Sequence, residues 1–330
     1  MQIGVSTLVG LEPIPFPDLV RWCAAHGIYA LEVNVGPGYP KIGGASYGGH
    51  LDLDAIVRDG PGIVEEALGN SGVKVVSLAP MVNLLSADPD LRASRNALMR
   101  QTIDAAQVLG LDTVVTFAGS SFGMHFSGLP GVGGKHASNK IADNIAIFTE
   151  VYGPIADYAE SKGIRIAFET AGRGGPEGNI AHSPFMWEKM FEAVPSKAIG
   201  LSFDPSHLVW LHIPNQGDVI REFGDRIYHV DGKDCEIMHA RLARQGILGN
   251  DWWRYRLPGL GSVPWAEVFS ALRDVGYDGI VAIENEDSLC PGLNGAAWAA
   301  EYLNRLILPD PSKTVVEPIR PTATERKGTA

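Results

Sequence analysis

Four short apolar runs in the second half of the chain end in acids. Phe168-Glu169-Thr170 closes the first and Phe203-Asp204-Pro205-Ser206-His207 the second; His229-Val230-Asp231-Gly232-Lys233-Asp234 and Ile283-Glu284-Asn285 close the others. A carboxylate placed directly after a fully apolar run faces a costly desolvation unless it is paired or bound to a cation. Taken singly, each acid has an ordinary explanation: Asp204 can cap the turn that follows it, and Glu169 or Glu284 can pair with a nearby Arg or Lys. Four in succession are explained more economically by one divalent metal whose charge offsets theirs, provided that the fold makes them converge. Oxygen-rich ligation favours Mn²⁺ or Mg²⁺ over a structural Zn²⁺, although a histidine in the set would let Co²⁺ or Zn²⁺ compete. Such a site can stabilise negative charge that develops on an oxygen while a carboxylate within reach takes a proton.

The elements that must position these acids show one recurring pattern. An amphipathic stretch ends in glycine and a short β-branched run follows, as in HGIYALEV at Gly27, SGVKVVSL at Gly72, LGLDTVVTF at Gly110, KGIRIAFE at Gly163 and VGYDGIVAIE at Gly276. Glycine supplies the left-handed residue that closes a helix, and an uninterrupted apolar run suits a strand buried on both faces of a parallel sheet. With Gln2 to Thr7, Ile199 to Phe203 and Ile227 to Val230 added, eight strands are expected. A doubly wound open sheet explains the alternation as well, but no glycine-rich dinucleotide fingerprint follows the first strand, and polar residues gather at strand C-terminal ends. The expected fold is α/β, a single (β/α)8 TIM barrel over residues 1–308, with residues 309–330 an irregular or disordered tail. Glycine-rich stretches 36–50 and 119–139, and the stretch 234–262, are expected as long loops over the catalytic face.

Composition narrows the function. The chain has 330 residues, 45% of them apolar, which suits a globular protein with a sizeable core. A formal net charge of −11 argues against nucleic acid as partner, since such binders need a basic face. Cys23, Cys235 and Cys290 form no CxxC pair and are too scattered for a disulfide framework, which fits a reducing, cytoplasmic setting. Neither a signal peptide nor a membrane span is expected.

With these motifs in place, the chain resembles the xylose isomerase-like, sugar phosphate isomerase/epimerase barrels, from residue 2 to about residue 305. The resemblance is carried by IAFET, GLSFDPSHLVW, YHVDGKD, RYRLPGLGSVPW (Arg254 to Trp265) and GYDGIVAIENED together. It implies that Glu169, Asp204, Asp231 and Glu284 bind a divalent metal and that Glu169 and Glu284 also serve as proton acceptor and donor. Asp231 is a departure: many relatives read His-Val-His-Ala-Lys-Asp there, with the second histidine as ligand. Period-two alternation puts His229 and Asp231 on one face, Asp231 nearer the strand end, so Asp231 is the expected ligand and His229 the second choice.

The resemblance also implies that His207 contacts substrate oxygens or the metal shell. Lys233, Arg254, Arg256 and His229 are further candidates for holding substrate; as alternatives, Lys233 is a solvated lysine and the arginines stitch the loop down. Trp210, Trp252, Trp253 and Trp265 offer a stacking surface, two at least being packing residues. His125, His136 and His182 are loop histidines to which no role is assigned.

The leading expectation is thus a metal-dependent isomerase or epimerase of a small carbohydrate. The alternative is a lyase or hydratase acting on 3-keto sugars or glycosides, including carbon–glycoside cleavage. A non-catalytic sugar-binding subunit and a phosphodiester-cleaving enzyme are weaker readings, the last lacking extra histidines and a basic groove. A homo- or hetero-oligomer is expected by resemblance alone.

Overall fold

The structure is a computed structural model that describes residues 1–8, 14–36, 39–40, 46–47, 49–121, 136–172, 178–247 and 249–307. The tail from residue 309, most of the glycine-rich stretches 36–50 and 119–139, His125 and the side chain of His136 lie outside the described residues.

Eight parallel strands close a barrel: β1 (Gln2–Ser6), β2 (Ala30–Asn34), β3 (Lys74–Ala79), β4 (Thr113–Thr116), β5 (Arg165–Glu169), β6 (Ile199–Phe203), β7 (Ile227–Gly232) and β8 (Ile280–Ile283). Each strand pairs with its successor, and β8 returns to β1 with Gln2 opposite Ile280 and Val5 opposite Ile283. The helix–glycine–strand pattern is what builds it: Gly163 and Gly276, at φ of +70° and +73°, turn the chain from helix end into β5 and β8.

Strand residues alternate between two environments, and β5 shows how this aims the chemistry. Phe168 packs outward, edge-on to Phe148 and Tyr152 of the helix His136–Ser161, at centroid distances of 5.7 and 4.8 Å. Its neighbours Ala167 and Glu169 therefore face the barrel axis. Between β6 and β7 the register slips: Leu201 faces Ile227 but Ser202 faces His229, so Tyr228 is an extra residue. A bulge of this kind re-aims the side chains beyond it, and here it delivers His229 opposite Ser202.

The stretch 234–262 is more ordered than the loop expected from the sequence. Asp234–Ile237 and Trp253–Arg256 form an antiparallel ribbon around the short helix His239–Gln245. The alternation of aromatic and basic residues in Trp253-Arg254-Tyr255-Arg256 suits a ribbon with one face packed and one face wet. Asp234 ties this excursion to the barrel. Its buried carboxylate accepts from the backbone N–H of Cys235 (2.8 Å), Gly259 (2.9 Å) and Val263 (2.9 Å) and from Trp265 Nε1 (3.0 Å). Asp234→Ala leaves these four donors unpaired, at about 1–3 kcal/mol each, so we expect a loss of about 4 kcal/mol or more. Urea unfolding of the variant checks this, and a loss below about 1 kcal/mol would show that water replaces the carboxylate without cost.

Candidate active site

The four strand-end acids are all at the C-terminal mouth and all buried: Glu169 at 4% exposure, Asp204 at 0%, Asp231 at 1% and Glu284 at 5%. Asp231 lies near enough to Glu169 and Glu284 to act on both electrostatically, yet its own partners are different ones. The four side chains divide into two adjoining groups, one at the mouth and one between β2 and β7.

At the mouth, the ammonium of Lys233 is the hub. Its Nζ lies 2.6 Å from Glu284 Oε2, 3.0 Å from Asp204 Oδ2, 3.1 Å from Glu286 Oε1 and 3.7 Å from Glu169 Oε1. The face of Tyr255, on the ribbon, lies 4.9 Å from the same nitrogen. Lys233 is 2% exposed, so it is a buried cation and not the solvated lysine that the sequence left open as an alternative. His207 stands beside it, Nε2 being 3.2 Å from Glu169 Oε1 and 3.3 Å from Asp204 Oδ2.

Asp204 has two duties. Its Oδ1 accepts from the Ser206 N–H at 2.8 Å and caps the short helix Pro205–Trp210, while Oδ2 points to Lys233 and His207 without a well-angled hydrogen bond. His207 Nδ1 accepts from Trp210 Nε1 at 3.2 Å. Because an indole N–H only donates, Nδ1 carries the lone pair and the neutral ring holds its proton on Nε2, facing the carboxylates.

Deeper in, Ser202 Oγ donates to Asp231 Oδ2 at 2.7 Å and lies 2.8 Å from His229 Nδ1. A hydroxyl has one proton to give, so His229 Nδ1 is the donor in the second contact. His229 Nε2 is 3.1 Å from Glu32 Oε2, and Ser77 Oγ donates to that glutamate at 3.4 Å. Potential ligand atoms of Glu169, Asp204 and His207 lie within 4.8 Å of one another, and so do those of Glu32, His229 and Asp231. These groups could hold a metal ion.

The remaining candidates are placed elsewhere. Arg254 and Arg256 both bind Glu236 at 2.7 Å, and Arg256 also binds Asp287 at 2.9 Å. Trp265 and Trp252 are packed away at 2% and 5% exposure. Trp210 and Trp253 stack at 4.8 Å, and with Tyr255 they form an aromatic wall against His207. Burial lowers the pKa of His182, whose own backbone provides the one opposing hydrogen bond, so it stands apart from the acids electrostatically.

Five participants were not singled out by the sequence: Glu32, Ser77, Ser202, Tyr255 and Glu286. Glu32 carried the same signal as the four acids, a carboxylate inside the apolar run ALEVNV, and Glu286 sits one alternation beyond Glu284.

Electrostatics set the proton inventory. Burial raises the pKa of Glu169 against the pull of Lys233 and His207, and it raises Glu284 well above the usual range against Lys233, helped by Glu169 and Asp231. Burial raises Glu32 too, opposed by His229. For Asp204, burial is outweighed by Lys233 and His207, and the pKa falls. Burial would lower His229, but Glu32 and Asp231 outweigh it and the pKa rises.

These shifts fix a slope of stability with pH. Between an unfolded value of 4.5 and a raised folded value, a glutamate binds more protons in the folded chain, so stability falls as pH rises. The contribution of His229 is complete below 6.5 and is lost as pH rises through its folded pKa. Asp204 acts only in acid, its contribution being lost as pH falls below 3.8 through its folded pKa. The metal-free protein is therefore expected to melt lower at about pH 8 than at about pH 5, the lowered pKa values of His50 and His182 opposing this slope as pH rises through their range up to 6.5. Calorimetry across that window checks it, and a Tm that rises with pH contradicts the assignment.

The fold and site together define a TIM barrel whose C-terminal mouth assembles buried carboxylates around a cation. The chain belongs to the family described as xylose isomerase-like TIM barrel, whose family model matches residues 20–306. It is 28% identical over 322 residues to the uncharacterized protein YfiH of Bacillus subtilis, covering 90% of this chain and 96% of that one. It is 24% identical over 202 residues to the D-psicose 3-epimerase of Agrobacterium fabrum, covering 61% of this chain and 60% of that enzyme. Among solved structures, D-psicose 3-epimerase with D-tagatose from Clostridium cellulolyticum superposes with a TM-score of 0.64 at 16% identity, covering 93% of this chain and 99% of that one. No described helix is long and apolar enough to cross a membrane.

Proposed function

We propose that the chain is a carbohydrate isomerase or epimerase that moves a proton on the carbon next to a carbonyl. The observation that carries this reading is that three strand-end carboxylates, Glu169, Asp204 and Glu284, share one buried cationic position in the barrel mouth, filled by Lys233 Nζ. The epimerase relative supports it.

The donor set fits a hard divalent ion, Mn²⁺ or Mg²⁺, because it is made of carboxylate oxygens and one of the chain's own cations already stands among them. Glu169, Asp204 and Glu284 would hold the ion. Asp231, engaged by Ser202 and His229, adds negative charge behind them. When bound, the ion supplies positive charge for the developing enediolate.

The protein's own groups do the rest. Glu169 and Glu284 take the two proton-transfer roles, as acceptor and donor beside the substrate carbon. Nε2–H of His207 donates to a substrate oxygen, and Trp210 behind it fixes the ring and its tautomer. The aromatic wall of Trp210, Trp253 and Tyr255 keeps water from that side of the mouth.

Incubation of the purified chain with Mn²⁺ and a panel of ketoses in D₂O tests the proposal. Deuterium is expected at the carbon next to the carbonyl of at least one sugar, and no wash-in across the panel would defeat it.

A further inference from the structure

The carboxylates that would hold the cation are already occupied by a side chain of the same protein. Lys233 directly follows β7, and its partners Asp204 and Glu284 directly follow β6 and β8. An ammonium has three protons to donate, and Nζ stands within 4.0 Å of four carboxylates, so it cannot satisfy all of them. The shortfall is visible at Asp204 Oδ2, which is fully buried and accepts no well-angled hydrogen bond. The fourth partner differs from the other three. The Glu286 side chain is 35% exposed, whereas those of Glu169, Asp204 and Glu284 are at 7% or less.

A divalent ion and an ammonium repel each other where water is excluded, and here they compete for the same oxygens of Glu169, Asp204 and Glu284. We propose that Lys233 is a displaceable counter-ion: it neutralises the three buried carboxylates when no metal is present, and yields its place to an entering divalent ion by swinging to Glu286 at the rim. The proposal rests on the cation reading above. A cation at the centre of these buried carboxylates matters to folding, since removing the cation from a buried cluster is strongly destabilising. The proposal also gives the site a preference by charge. A monovalent ion gains nothing over the resident ammonium, whereas a divalent ion does.

The test is Mn²⁺ binding by isothermal calorimetry on metal-free wild type, Lys233→Met and Glu286→Gln, with a crystal structure of the Mn²⁺-loaded wild type. Lys233→Met, of similar length and uncharged, is expected to bind Mn²⁺ at least about ten-fold more tightly. Glu286→Gln removes the rim partner and is expected to bind it about three-fold or more weakly. In the crystal, Lys233 Nζ is expected beyond about 4 Å from Asp204 Oδ2 and within hydrogen-bond reach of Glu286. Equal or weaker affinity in Lys233→Met alongside a binding wild type overturns the counter-ion role alone. Nζ still beside Asp204 with Mn²⁺ bound overturns it too, and does so even if Lys233→Met fails to fold. Absence of Mn²⁺ binding in wild type and both variants overturns the cation reading together with this one.

Discussion

Glu284→Gln is expected to lower the rate of deuterium exchange next to the substrate carbonyl by about 10²- to 10⁴-fold, the range spanned by positioned acid–base groups. The amide keeps the size of the carboxyl group and loses the ability to carry the transferred proton. The loss should fall on kcat more than on KM, since the substrate still enters the same mouth. Glu169→Gln should act similarly, and the double variant should cost little more than either single one, because two groups that work in one proton path are not additive. Retention of Mn²⁺ binding separates lost proton transfer from lost cation. If both single variants exchange deuterium within about three-fold of wild type, the two glutamates are not the proton carriers and the mouth is a binding site only.

Burial logic made much of this arrangement legible in the sequence. Glycines that close helices before β-branched runs mark the points where the barrel strands begin. An acid placed after a run buried on both faces has to have a reason, and this singled out Glu169, Asp204, Asp231 and Glu284. The same logic applied to ALEVNV would have found Glu32, but a lone glutamate on the second strand reads as a surface position until the barrel is closed and β2 faces β7 across its interior. The grouping of the acids was not legible for a different reason. A one-residue register slip at Tyr228 decides which residue of β7 stands opposite Ser202, and pairing register leaves no mark in local composition. Asp231 thus answers to Ser202 and His229, not to the mouth alone. Lys233 was legible as a neighbour of the acids but not as their hub, because a four-carbon stem fixes reach and not direction.

His229→Leu is expected to have a large effect on stability as well. The imidazole is buried at 1% exposure, 3.1 Å from Glu32 Oε2 and 3.5 Å from Asp231 Oδ1, so it is the cation between two carboxylates with almost no access to water. Leucine fills a similar volume but leaves both acids uncompensated, and breaking a buried pair in this way costs about 3–5 kcal/mol. For a chain of this size that is a fall in Tm of about 5–10 °C. Volume and charge can be told apart with a second substitution. If charge is the cause, Glu32→Leu added to His229→Leu should recover stability, since replacing a whole buried pair by apolar groups is often neutral or better, and the double-mutant cycle should show a coupling of about 2 kcal/mol or more. Additive losses would mean that the histidine acts through packing. The mouth should register the change as well: with His229 gone, the charge of Asp231 is no longer offset, and its repulsion holds the protons on Glu169 and Glu284 more tightly. The pH profile of exchange would then move to higher pH without any change in a residue that touches substrate. The inner layer of Glu32, His229, Asp231 and Ser202 is in this view what tunes the outer one, and the bulge at Tyr228 is what sets the two in register.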